Sequence, residues 1–491
     1  MAIERMRVAV VGAGSGGLVA ATYLAKAGLA VDVFEAQSHL GGCASCFSIG
    51  GHRFHAGATT LVGLERGMPL ERILSELSID LPHHVLDGSL AIAHGGDRFI
   101  MTPSTDTNVR SLASRYGEGL GAFWRFATEL APKAWSLIGE APLPPRTLGD
   151  LLSIAERGDA WRLLPELLRT TDSRLRGFGP TSPSGHELLN ELLLVSTQST
   201  AAATPALFGA MGCEYLQRRL YMPVGGLGSL FDSLAQRIEA LGGRVHRRSP
   251  VDAVRDDGDS VTVRVAGEHH RFDALVLGIT CWDAARLAEG QLKRFFARQS
   301  KTHTQAWSAA GGYFVYDDTL PEDYPVYTQV VLDAPMASTG ARGLFVTLPP
   351  RADSDLVTPG TRTMTVSCHT APESWFSCTQ NEFMDRRDRL VDEVQAAIRG
   401  AIPELRQATC RAAHPVTPRT WQTFTGRHLG RVGGLPFERN LRTLAYPTGR
   451  TPSPRVICVG DTVFPGQSVT ATAIGARRGA LELVGRVVDL R

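Results

Sequence analysis

The apolar positions of this 491-residue chain fall into runs whose period changes from segment to segment, and those periods predict its elements. Residues 8–11 (VAVV) form a short continuous apolar run, the pattern of a parallel strand buried on both faces. Helical spacing follows over 18–27 and stops at Gly28, a residue suited to the left-handed turn after a helix. Residues 31–34 predict the next strand. Leu70, Ile73, Leu74 and Leu77 recur at helical spacing and predict a helix within 66–82. From there to about 220 helical spacing dominates, over 109–116, 120–138, 148–156, 161–170, 186–197 and 205–216. The prolines of 141–146 (APLPPR) break that series. A helix over 230–241 precedes strands over 243–246, 251–254, 261–265, 270–272 and 274–278. Residues 311–316, 327–333, 344–348 and 363–369 predict an antiparallel sheet, with Tyr313, Phe314, Tyr316, Tyr327 and Phe345 as core or tunnel-lining aromatics. A helix over 383–398, a strand over 456–459 and a helix after Gln467 complete the pattern.

Glycines punctuate the first of these units in a way that carries chemistry. Gly12, Gly14 and Gly17 sit between the first strand and the first helix, and Glu35 ends the second strand. Such glycines permit a tight turn, close approach of backbone to a pyrophosphate, and close helix–strand packing. The free N–H groups and positive dipole end of the helix then face the phosphates. Glu35, about 20 residues on, is placed to accept hydrogen bonds from a ribose hydroxyl pair. Gly41 and Gly42 add a second flexible turn beside the dinucleotide. A second set, Gly225, Gly226 and Gly228, precedes the 230–241 helix with no predicted strand before it. That reads as a return to the first nucleotide domain rather than a second one, with the turn at 249–251 placing Val251 and its neighbours against the adenine.

Composition narrows the class without changing the elements. The formal net charge of +2 gives no electrostatic case for nucleic acid, and 43% hydrophobic with 20% charged residues describes an ordinary folded enzyme. The first strand begins within about seven residues, leaving no room for a leader peptide, and no run approaches the length of a spanning helix. The expected location is the cytoplasm, with a peripheral position at the inner face of the cell membrane as an extension of it. Residues 151–178 supply the stretch for that: leucines, Trp161 and Phe178 among Arg157, Arg162, Arg169, Arg174 and Arg176, diluted by acids. Of eight cysteines only Cys43 and Cys46 form a CxxC, and they read as small residues packing near the cofactor. His52 and His55 lie three residues apart in one predicted strand and lack a third ligand, so no metal is expected. They read as structural or substrate-lining, and His55 is the one candidate for proton transfer.

The Glu35–Gly41-Gly42 spacing resembles the FAD-binding motif of the flavin amine-oxidase and phytoene-desaturase superfamily. Three blocks extend that resemblance over nearly the whole chain: the N-terminal motif with GGCASCF, the central YMPVGGLGSLFDSLAQRIEALGG, and the terminal VICVGDTVFPGQSV. Thr417-Pro418 with Gly430–Gly434 matches a further family segment. The chain is similar to the carotenoid desaturase/isomerase family, and residues 57–82 and 143–152 look most like C-3′,4′ carotenoid desaturases. Two places depart from the family pattern: His55, where an acid is common, and residues 279–283 (ITCWD), where Asn-Ala-Asp is frequent.

The resemblance implies non-covalently bound FAD. Gly460, Asp461, Gly466, Gln467, Ser468 and Val469 would close the site from the C-terminal side, the last helix aiming N–H groups at the flavin and Asp461 hydrogen-bonding the ribityl or pyrophosphate region. The implied fold is α/β, a Rossmann-like FAD-binding domain with an inserted mixed α+β substrate domain that includes a helical subdomain. Its parts would be 1–82, 221–289 and 417–491 for FAD, 83–220 for the helical, membrane-facing subdomain and 290–416 for the substrate sheet. The implied activity is a desaturase (an FAD-dependent oxidoreductase of carotenoid biosynthesis) that introduces a double bond, at C-3′,4′, into an acyclic, often 1-hydroxylated carotenoid by hydride transfer to flavin N5. Oxygen or a membrane quinone would accept the electrons. The alternatives are a carotene cis–trans isomerase using reduced FAD, a flavin amine oxidase, and a non-catalytic FAD-stabilised scaffold, against which the intact nucleotide motifs argue.

Overall fold

The computed structural model describes residues 6–489 apart from 87, 89, 144, 146, 159, 216, 304 and 439–445. Positions 144 and 146 of the proline-rich break, and 216 at the end of the predicted 205–216 helix, thus lie outside the described residues.

The buried run after Arg7 forms the centre of a five-stranded parallel sheet, Arg7–Val11, flanked by Ala30–Phe34 and Ala274–Leu277. Arg244–His246 and Val456–Cys458 pair at the two edges, so residues from both ends and the middle of the chain build one layer. Helices Ser15–Lys26, Gly228–Ala240 and Val469–Asp489 pack Leu18, Leu24, Phe231, Leu234 and Ala476 against one face. The other face is covered by the antiparallel strands Val251–Asp256, Val261–Val265 and Glu268–Phe272 and by helices Cys281–Leu287 and Gly290–Thr302. Both faces are buried, which is why the central strands read as unbroken apolar runs rather than alternating ones.

A second sheet of seven strands lies in the order Cys410–Val416, Ser308–Asp317, Thr361–Thr370, Gly343–Thr347, Tyr327–Val331, Leu90–His94, Asp97–Met101. All its pairs are antiparallel except Tyr327–Val331 with Leu90–His94. Helix Gln380–Ala401 packs Leu390, Val394 and Ile398 against one face, meeting Phe314 and Tyr316. The opposite face meets helices Glu118–Glu140, Pro183–Thr197 and Ala206–Tyr215. Alternation along the second strand sends Tyr313 the other way from Phe314, so its hydroxyl reaches the Ala56 carbonyl at 2.6 Å.

Two segments differ from the expectation. Within 83–101, grouped with the helical part, the structure has strands: His83–Leu86, then the hairpin Leu90–His94/Asp97–Met101 around Gly95-Gly96, which extends the seven-stranded sheet. The central glycines do follow a strand, Leu220–Pro223, but it pairs antiparallel with His83–Leu86 outside the parallel sheet. No helix among the described residues is long and apolar enough to cross a membrane.

Candidate FAD and substrate site

Two helix N-termini converge on one cavity of ≈ 330 Å³. Gly14, Ser15 and Gly16 line it at the start of Ser15–Lys26, and Gln467, Ser468 and Val469 line it at the start of Val469–Asp489. Ser15 and Thr472 join the two ends through a 2.9 Å hydroxyl–hydroxyl bond. Each terminus presents N–H groups without intrahelical partners and a positive dipole end, so both favour negative charge at this place. Gly41 and Gly42 close the floor, the Gly41 N–H donating to the Ala13 carbonyl at 2.9 Å. Gly460 and Asp461 arrive from the edge strand.

The glycines divide by function. A side chain on Gly12 would meet the Gly278 carbonyl at 2.8 Å, and Gly12 has φ +93 besides. A side chain on Gly17 would run into the Gly12 carbonyl, so both serve strand–helix packing. Gly14 and Gly460 are different. An added methyl on either would meet no protein atom within 4 Å, so each backbone faces open space in the cavity. Such a cradle, formed where two helix ends meet, fits the diphosphate of FAD. The residues that would hold FAD there are Gly14–Gly16, Gly41, Gly42, Gly460, Asp461 and Gln467–Val469.

Besides Gly12 and Gly17, four of the expected contacts stand off the cavity. Glu35 is anchored by N–H groups, Ala13 to Oε2 at 2.8 Å and Gln37 to Oε1 at 2.9 Å, which braces the turn. Val251 begins a strand just after Ser249, whose N–H donates to the Glu35 carbonyl at 2.8 Å, so it neighbours the acid without lining the cavity. Gly466 is buried against Tyr446 and Phe437. His55 is 3% exposed and also outside the cavity, its Nε2 packed beside Gly226 and without a hydrogen-bond partner. Burial, then the nearby Arg53 charge, push its pKa down to about 4. That position sets it outside the cavity lining, away from the proton-transfer role expected of it. Of the CxxC pair, Cys43 lines the cavity while Cys46 Sγ accepts a bond from the Gly228 N–H at 3.3 Å.

Other polar residues line the cavity instead. Arg427 Nη1 donates to Asp461 Oδ2 at 2.7 Å. Burial disfavours its charge, but Asp461 and the neighbouring Cys43 and Asp283 outweigh that and raise the pKa above the ordinary value. Gln198 Nε2 bonds Gln467 Oε1 at 2.9 Å and His369 Nε2 at 3.1 Å, and Gln467 Nε2 donates to the Val195 carbonyl. An amide N–H can only donate, so His369 Nε2 accepts and the imidazole is neutral. Burial holds its pKa at about 4. Beyond this network the walls turn apolar, with Val62, Ile138, Val195, Phe208, Met211 and Phe345. Single polar residues from distant segments carry no motif. Glu191 alone shows a sequence signal, being a charge at helical spacing among Leu188, Leu192 and Val195.

His55 and His369, whose pKa values are held at about 4, contribute a pH dependence. Between pH 6.5 and about 4 the unfolded chain protonates them while the folded chain does not. Stability is therefore complete above pH 6.5 and falls as pH drops toward 4, by on the order of 3 kcal/mol for each histidine. His55→Gln is expected to reduce the slope of unfolding free energy against pH in that window, measured by denaturant titration. An unchanged slope would contradict the assignment.

Comparison with known proteins agrees with this architecture. The pattern of flavin containing amine oxidoreductases matches residues 15–466. A chloroplastic prolycopene isomerase of Daucus carota is 25% identical over 500 residues, covering 94% of this chain and 77% of that one. A carotenoid 3,4-desaturase of Haloarcula japonica is 24% identical over 436 residues, covering 80% of this chain and 84% of that one. The structure of cyclohexylamine oxidase from Brevibacterium oxydans superposes with a TM-score of 0.60 at 15% identity, covering 99% of each chain.

Proposed function

We propose that this chain, which belongs to the flavin containing amine oxidoreductase family, is a carotenoid desaturase that introduces a carbon–carbon double bond, at C-3′,4′, into an acyclic, 1-hydroxylated carotenoid. Its cofactor is FAD and its reaction class is that of an FAD-dependent oxidoreductase. The observation that carries the substrate class is the wall of the cavity beyond the nucleotide end, where Val62, Ile138, Val195, Phe208, Met211 and Phe345 present hydrocarbon. A polyene offers few hydrogen-bond partners, so binding rests on apolar burial, roughly 25 cal/mol per Å². The similarity to carotenoid-acting relatives supports the same choice.

Bound FAD supplies a hydride acceptor. The chain's own residues do the rest. The glycine cradle and both helix ends hold the diphosphate, Arg427 neutralises Asp461, and the Gln198–Gln467–His369 network fixes the polar side chains at the junction of cofactor and substrate spaces. The apolar walls exclude water. The neutral His369, rather than His55, is the imidazole within reach of the cavity.

The second reading is a cis–trans isomerase, favoured by the carrot relative that spans 94% of this chain. The mass of the pigments made from an acyclic precursor separates the two, since desaturation removes two hydrogens and isomerisation none.

Peripheral attachment to a membrane belongs to the same proposal. Helix Leu148–Ala155 buries no residue, with Leu148 75% exposed and Leu151 and Leu152 also exposed. Helix Ala160–Leu168 adds exposed Trp161, Leu164 and Leu168, while its Leu163 joins the core cluster of cavity-wall residues Phe208 and Met211. An apolar surface next to an apolar cavity suits a substrate delivered from a bilayer at the inner face of the cell membrane. Leu151→Glu with Trp161→Glu is expected to lower sedimentation with phosphatidylglycerol–phosphatidylcholine vesicles roughly tenfold or more, as burial of two such side chains is forfeited, with FAD content unchanged. Equal sedimentation would contradict it.

A further inference from the structure

At the cavity end away from the nucleotide motifs, three residues make a polar spot in apolar surroundings. Glu191, Val195 and Gln198 are spaced i, i+4, i+7 on helix Pro183–Thr197 and its cap, and all three line the cavity. At about 1.5 Å rise per residue this stripe runs about 10 Å, from the Gln467 contact to Glu191. Opposite Glu191 stand Gln329 of strand Tyr327–Val331 and Gly343 of strand Gly343–Thr347. Glu191 Oε2 and Gln329 Nε2 are the nearest atoms to the place a side chain on Gly343 would occupy, so both polar groups stand over that glycine.

Gln329 is 1% exposed, and its amide orientation is determined. Nε2 donates to the Val330 carbonyl at 3.1 Å and the Leu344 carbonyl at 3.3 Å, and turning the amide over would set oxygen against oxygen. Oε1 is left buried with no partner. Glu191 is 9% exposed and its carboxyl makes no hydrogen bond among the described residues. Burial foremost, opposed by Arg342 and assisted by Glu187, pushes its pKa up to about 7. A carboxyl that is partly protonated at neutral pH offers an O–H, and the glutamine offers an open acceptor. Leaving either unmet in a buried place is costly.

We infer that Glu191 and Gln329, over the bare backbone of Gly343, form a recognition site for a hydroxyl group on the substrate. A hydroxyl accepts from the Glu191 O–H and donates to Gln329 Oε1, meeting both groups with one oxygen. The spot lies about 10 Å of helix away from the Gln467 contact, so it reads a part of the substrate distinct from the part held beside the cofactor. The inference rests on the reading of the substrate as an elongated apolar molecule.

The test uses FAD-loaded enzyme and two acyclic polyenes that differ only in a terminal hydroxyl. Dissociation constants and KM are measured for wild type, Glu191→Gln, Glu191→Leu and Gln329→Leu, with FAD content and unfolding midpoint recorded for each. Wild type is expected to prefer the hydroxylated polyene by roughly 10- to 100-fold. Glu191→Gln, which keeps a donor and an acceptor, is expected to hold most of that preference. Glu191→Leu and Gln329→Leu are expected to bring it close to one while still binding the plain polyene. Equal preference in wild type and both leucine variants overturns the inference and leaves the substrate class standing. Loss of the preference in Glu191→Gln as complete as in Glu191→Leu also overturns it, because that would mark a reader of positive charge. Binding of neither polyene by wild type overturns the substrate class and the inference with it.

Discussion

Gly14→Val is expected to yield a folded protein that no longer retains FAD. The backbone at Gly14 has φ −74 and ψ 178, a conformation any residue adopts, and an added Cβ meets no protein atom within 4 Å. Folding therefore tolerates the change. The side chain would occupy the space in front of the helix N-terminus, where the diphosphate must come close to the N–H groups. FAD retained after gel filtration should fall by roughly tenfold or more, the equivalent of about 1.4 kcal/mol or greater. The unfolding midpoint without cofactor should stay near that of wild-type apoprotein. Gly17→Val is the contrast: its side chain collides with the Gly12 carbonyl, so it should fail in folding rather than in binding alone. Retention of FAD by Gly14→Val would contradict the placement of the diphosphate.

Arg427→Leu is expected to cost the folded protein about 3 kcal/mol. Arg427 and Asp461 are both largely buried and joined at 2.7 Å, and removing the cation leaves a carboxylate short of its partner in a low-dielectric site. Their side chains retain 20% and 14% exposure, which places the expected cost at the lower end for a buried pair. Replacing both, Arg427→Leu with Asp461→Leu, should recover most of the stability because no orphaned charge remains. It should not recover FAD retention, since both residues line the cofactor end of the cavity. Denaturant titration of apoprotein and FAD content of purified protein read the two effects separately. A double variant no more stable than the single one would contradict the pairing.

What is legible in the sequence follows from how locally each feature is determined. The strand 8–11, the glycines and the helix form one continuous unit, so period and spacing suffice to place them in the parallel sheet, with Gly14, Gly41 and Gly42 lining the cavity, while Glu35 braces the turn instead. Gly460, Asp461 and Gln467–Val469 come from the other end of the chain, yet they too form a strand–turn–helix unit and arrive at the same cavity. The hairpin Leu90–His94/Asp97–Met101 escapes because two five-residue strands sit beside long helical patterns that dominate the window. Its Gly95-Gly96 turn is the local signal that identifies it. The roles of His55 and His369 are not separable from sequence. Both are histidines on strands, and only the tertiary fold turns His369 toward the cavity and buries His55 behind Gly226. Arg427 lies in the loop after helix Pro418–Thr425, and nothing in its neighbourhood announces the pairing with Asp461. Gln198 and Gln467 are brought together from 269 residues apart, a contact no spacing rule reaches.

Oxidation of an acyclic carotenoid shows first in the mass of the pigment formed. The chain is co-expressed with enzymes that stop at an acyclic, 1-hydroxylated precursor, and the pigments are separated and weighed. A product lighter by two hydrogens with a red-shifted visible spectrum is expected, absent when Gly14→Val replaces the wild type. A product of unchanged mass with an altered cis band would contradict desaturation and establish the isomerase, and an unchanged pigment would contradict both.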